Sequence, residues 1–98
     1  MNARLTIAGE MSIYRAAELK ERLIDALGEA DAVLEVELAG VTEIDTAGVQ
    51  LLMLTKREAD ASGRRLQLLS HSRAVAAAFE LLNLAGFFGD PILVEGER

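Results

Sequence analysis

The chain has 98 residues, 51% hydrophobic and 27% charged, with 16 acidic against 10 basic side chains and a net charge of −6. That length holds one domain with a modest core, read here as residues 1–98, and the acidic balance argues against nucleic acid as a partner. Cysteine is absent, which removes disulfides, thiol catalysis and Cys-ligated metal and fits a cytoplasmic setting.

In chain order, Arg4 to Ala8 alternates polar and apolar residues and predicts a short strand, after which Gly9-Glu10-Met11-Ser12 is expected to turn the chain. Ala16, Leu19, Leu23, Ala26 and Leu27 recur at helical spacing, with Gly28 as a stop. Glu18 and Arg22 form a favourable pair four residues apart on its outer face, and Glu21 and Asp25 a repulsive one. Val33 to Leu38 alternates again and predicts a strand with at least one buried face, ended by Ala39-Gly40. A second helix runs from Val49 towards Ala61, and Gly63 closes it. Leu66 to Leu69 is the next strand. Ser70 or Ser72 caps a third helix with Val75, Phe79 and Leu82 as its apolar stripe, Gly86 ends it, and Pro91 precedes a last strand, Ile92 to Val94. Alternating strands and helices give an α/β fold with a largely parallel sheet and right-handed crossovers.

No apolar run approaches the ~20 residues that cross a bilayer, so no membrane insertion is expected. Met1 to Met11, with one Arg and Glu10 and no long apolar stretch, does not read as a secretory signal.

The most informative segment is Glu43-Ile44-Asp45-Thr46-Ala47-Gly48, where a strand passes into a helix. The first N–H groups of a helix lack partners inside it, and its dipole leaves positive charge there. A hydroxyl at that place either caps the helix or carries a phosphate that the helix end tolerates. Asp45 suits the cap, and Gly48 suits close packing of helix on sheet. The following helix is apolar around much of its first half: Val49, Leu52 and Met53 form one stripe while Leu51 and Leu54 point elsewhere. Burial between neighbours accounts for most of these residues; Leu51 or Leu54 is the candidate for an apolar docking patch beside Thr46.

Asp45-Thr46-Ala47-Gly48 followed by Val49-Gln50-Leu51-Leu52 resembles the signature of STAS domains, the fold of sulfate-transporter tails and anti-sigma-factor antagonists. Gly9-Glu10-Met11-Ser12 with Ala16-Ala17-Glu18-Leu19, and Leu81 to Phe88, resemble two further blocks of that family in the same order. The resemblance implies a small single-layer, mixed, largely parallel sheet packed with helices. The family's first strand is short or missing here, which leaves a sheet edge exposed or covered by a second copy in a homodimer. It also implies a switch: Thr46 as phosphoacceptor, and Asp45, Thr46, Gly48, Val49 and Leu51 as the partner-binding surface. The partner is an anti-sigma factor or related Ser/Thr kinase, released when Thr46 is phosphorylated. Threonine at this place resembles accessory subunits of lipid-transporting ABC systems, so a transporter ATPase is the alternative partner. A small-ligand sensor is a third reading, since α/β domains offer crevices at their strand ends.

Enzyme chemistry finds no foothold. His71 stands between serines with no triad context and is expected to be solvated. There is no nucleophile elbow, phosphate-cradling loop or dinucleotide fingerprint, and no clustered ligands for a metal. Glu35 and Glu37 read as an exposed sheet face, and no cofactor is expected.

Overall fold

A computed structural model of the chain describes residues 2–89; the strand expected at Ile92–Val94 lies outside the described residues. Strands β1 (Ala3–Met11), β2 (Val33–Ile44) and β3 (Arg65–Leu69) alternate with helices α1 (Ala16–Glu29), α2 (Thr46–Ala61) and α3 (Arg73–Leu81), and a short α4 (Ala85–Phe88) follows. The strand order is β1-β2-β3 and both pairings are parallel. The α/β class and the largely parallel sheet are as the sequence predicts.

The alternation in β2 sorts its side chains by face. Leu34, Val36 and Leu38 are fully buried, while Glu35 and Glu37 remain half-exposed. Arg4 on β1 reaches both, with Nη2 3.3 Å from the Glu35 carboxylate and Nη1 3.4 Å from that of Glu37. The two acids are thus a cross-strand ion-pair surface. The buried face receives Leu19, Leu23 and Leu27 of α1, Leu52 and Ala59 of α2, and Val75 and Phe79 of α3 in one continuous core. Each such fully buried large aliphatic or aromatic side chain contributes roughly 1.5–3 kcal/mol of burial energy.

Both of the first two strands run further than expected. Gly9-Glu10-Met11 continues β1, and the turn begins only at Ser12; Ala39-Gly40 continues β2 as far as Ile44. The register explains this. It shifts between Thr6 and Ala8 and again between Gly9 and Glu10, with one extra residue on β2 each time. Bulges absorb what would otherwise break the ladder, and Gly9, with a positive φ of 81°, lies opposite them on β1.

The arginines of the α1 region complete β1. Arg15 Nη1 donates to the carbonyls of Ala8 and Glu10, both at 2.8 Å, and Arg22 Nη2 donates to that of Thr6 at 2.9 Å. A guanidinium has no room between hydrogen-bonded strands about 4.8 Å apart, so these three carbonyls face the edge away from β2. Arg22 is therefore not the partner of Glu18; Arg15 is, at 3.2 Å.

Two further expectations are corrected. His71 is 1% exposed rather than solvated. Ser70 takes a φ of 54° just after β3, and the His71 ring then stands edge-on to Phe79, 5.8 Å between centroids. Gly86 does not end α3, which stops at Leu81 with Asn83 in the left-handed region; Gly86 lies inside α4. Phe88 of α4 stacks on Phe79 at 4.9 Å. Ser72, not Ser70, caps α3, its Oγ accepting from Val75 N at 3.2 Å.

Candidate functional site

Asp45 joins two element starts. Its Oδ1 accepts from the N–H of Gly48 at 3.1 Å, capping α2, and its Oδ2 accepts from the N–H of Ile13 at 3.0 Å. Ile13 opens a single 3-10 turn, Ile13–Arg15, whose own cap is Ser12. One carboxylate therefore fixes the entries to α1 and α2 side by side. Those donors, Ile13 first and Gly48 second, hold the Asp45 carboxyl below the usual aspartate range. The backbone completes the joint, Asp45 N donating to Met11 O at 3.1 Å and Val49 N to Asp45 O at 3.0 Å.

Thr46 is the first residue of α2 and is exposed. Because Asp45 is the cap, the fold makes no demand on the Thr46 hydroxyl, and among the described residues no hydrogen bond holds it. The other expected contact residues lie deeper. Gly48 is buried where α2 meets β1: a Cβ there would clash with Met11 O and come 2.9 Å from Ile44 Cγ1 and Met11 Cβ. Val49 is 4% and Leu51 8% exposed. Asp45 and Thr46 thus form the surface, and Gly48, Val49 and Leu51 the packing beneath it.

Beside Thr46 a groove of about 570 Å³ runs between α1 and α2. Ala16, Ala47, Leu51 and Leu54 give it an apolar lining, and Lys20 and Arg57 also border it. Ile13 borders it at the Asp45 end and is 65% exposed; the neighbouring Tyr14 is 87% exposed. Adjacent exposed large side chains beside an apolar groove make one contiguous patch. Among the described residues no group of three or more His, Cys, Asp or Glu side chains could hold a metal ion, and no helix is long and apolar enough to cross a membrane.

A family model described as "Mlab, STAS domain" matches residues 2–95. The chain belongs to the STAS family. An anti-sigma-B factor antagonist of Staphylococcus epidermidis is 27% identical over 78 residues, spanning 80% of this chain and 72% of that protein. Among solved structures, the unphosphorylated form of the anti-sigma factor antagonist SpoIIAA superimposes with a TM-score of 0.72 at 20% identity, over 94% of this chain and 83% of that one. A sulfate transporter family protein from Wolinella succinogenes gives a TM-score of 0.74 at 23% identity, over 89% of this chain and 70% of that one. Both likenesses are of fold.

Within this STAS chain, sequence reasoning finds Asp45, Thr46 and Gly48 and misses what lies across from them. Ile13 and Tyr14 fall in a stretch without periodicity, and only the folded carboxylate of Asp45 reveals that this turn belongs to the same surface. Lys20 is one polar residue among many on an amphipathic helix until α2 sets Arg57 across the groove.

Proposed function

We propose that the chain is a non-enzymatic, phospho-regulated protein-interaction module of the anti-sigma-factor antagonist type. It binds its partner through the Thr46 surface and is released when Thr46 is phosphorylated. The observation that carries this reading is the division of labour at the start of α2: Asp45 makes the cap, and the exposed Thr46 hydroxyl is left over. A phosphate can be added there without removing a bond that holds the fold. It brings roughly −1.5 to −2 charge at neutral pH, next to Asp45 and close in sequence to Glu43. The helix end offsets part of that repulsion, so the domain survives while its docking surface gains negative charge. Family membership and the antagonist relative support the class of partner: an anti-sigma factor or related Ser/Thr kinase.

A second reading follows from residue 46 being threonine, as in chains resembling accessory subunits of lipid-transporting ABC systems. There the same surface is a constant contact to an ATPase. Affinity capture from native lysate with wild type, Thr46→Ala and Thr46→Glu, read by mass spectrometry, separates the two. The switch reading expects an anti-sigma or kinase protein held by wild type and lost with Thr46→Glu. A transporter ATPase retained irrespective of phosphate establishes the accessory reading, and equal retention of all partners by the three forms removes Thr46 from either.

A further inference from the structure

The groove between α1 and α2 carries a charge pattern that the chain's composition hides. Among the described residues, Lys20 and Arg57 are the two basic side chains that make neither a hydrogen bond nor an ion pair; Arg57 lies over the Phe87 ring, 5.8 Å from its centroid. The other described cations are engaged: Arg4 with Glu35 and Glu37, Arg15 with Glu18, Lys56 with Asp60, and Arg22 and Arg64 with oxygens of Thr6 and Ser62, while Arg65 and Arg73 are likewise held. Lys20 and Arg57 both border the one groove, on opposite helices, in a chain of net charge −6. Two cations without a carboxylate partner at an apolar groove of an otherwise acidic protein define the complementary ligand: an apolar surface flanked by carboxylates.

We propose that this groove docks an amphipathic helix of the partner protein whose apolar face lies on Ala16, Ala47 and Leu54 and whose flanking Asp or Glu side chains meet Lys20 and Arg57. The inference rests on the reading of the Thr46 surface as a protein-docking surface and adds the chemistry of what docks there. A helix laid in an apolar groove is read through anchors three to four residues apart, with flanking charges setting its direction. The two cations stand at different depths along the groove: Lys20 is four residues into α1, near the end that Asp45 ties to α2, and Arg57 is eleven residues past Thr46 on α2, or about 16 Å along that helix at a rise of ~1.5 Å per residue. An anionic membrane is the weaker occupant, because two cations stand against a net charge of −6 and a concave groove does not suit a flat surface.

The test selects helical peptides from a displayed library on wild type and on Lys20→Glu/Arg57→Glu, then measures the enriched sequences by fluorescence anisotropy. Amide shift mapping locates them. The proposal expects peptides with an apolar face flanked by Asp or Glu, perturbing Ala16, Ala47 and Leu54, and weakened about tenfold or more by the charge reversal. Enrichment of basic or charge-neutral peptides, shifts elsewhere, or no enrichment on wild type overturns it. So does charge-dependent binding to phosphatidylglycerol vesicles in place of peptides. Both substituted side chains are exposed, and a thermal melt confirms that the double variant folds. Thr46→Glu is a separate arm. Peptides lost by charge reversal but indifferent to Thr46→Glu leave the groove assignment standing without the switch. A native partner lost with Thr46→Glu but indifferent to charge reversal leaves the switch standing without the groove.

Discussion

A methyl group at position 48 would run into the Met11 carbonyl and the side chains of Met11 and Ile44. Backbone cannot swing aside as a rotamer can, so helix and strand would have to separate. Gly48→Ala should therefore destabilise the chain by roughly 1–3 kcal/mol through overpacking, outweighing the ~1 kcal/mol that alanine gains over glycine inside a helix. Gly28, inside α1 with nothing within 4 Å of its added Cβ, provides the contrast. Gly28→Ala should stabilise by roughly 0.5–1 kcal/mol. Urea midpoints of the two variants check both signs at once. The same contrast separates two residues close in sequence to the cap: Thr46 tolerates change because its side chain meets solvent, whereas Gly48 does not because its neighbour is main chain.

At the level of elements, the Asp45 carboxylate ties the 3-10 turn before α1 to the first turn of α2. Asparagine keeps a capping oxygen, yet it cannot accept from Gly48 and Ile13 with two oxygens, and its amide NH₂ would face one of the two N–H donors. Asp45→Asn should melt lower than wild type at neutral pH, with Ile13 and Tyr14 amides exchanging faster. The pH dependence has a fixed sign. The folded carboxyl titrates below the ordinary aspartate value, so the unfolded chain takes up the proton first as pH falls. The stability that Asp45 contributes is full above about pH 4 and is lost as pH falls through the lowered folded value. The gap between wild-type and Asp45→Asn melting temperatures should accordingly close below about pH 4; a gap constant down to about pH 2 would remove the carboxylate as its source.

Most elements were legible because periodicity is a local property: α1, α2 and β3 stand within a few residues of where their apolar spacing puts them. The strand ends were not legible. Gly9-Glu10 and Ala39-Gly40 carry turn composition, and only pairing between β1 and β2 shows that bulges let both strands pass through. His71 went astray for a similar reason. Its serine neighbours suggest solvent, but one ring it packs against, Phe79, lies well into the next helix. At the site, the Asp45 cap and the close approach of Gly48 could be read from a strand-to-helix junction, while Ile13, Lys20 and Arg57 enter only once α1 and α2 lie together.

For the molecule as a whole, the question raised by β1 is what its outer edge can pair with. Exposed edges invite other strands, and a homodimer through this edge is one expectation from the sequence. The carbonyls of Thr6, Ala8 and Glu10 are already taken by Arg22 and Arg15. A second copy could add there only by displacing both guanidiniums. Arg15→Ala/Arg22→Ala should consequently increase self-association, seen as a larger mass by light scattering at equal concentration. A double variant no more associated than wild type would mean that something other than these arginines guards the edge.

That guard also bears on how the protein behaves before any partner arrives. A groove kept open for a partner, as proposed above, is an exposed apolar surface, and chains that expose a free strand edge as well tend to template fibrils. By occupying the outer edge of β1 with its own side chains, the fold keeps that edge from recruiting copies of itself while the groove stays open.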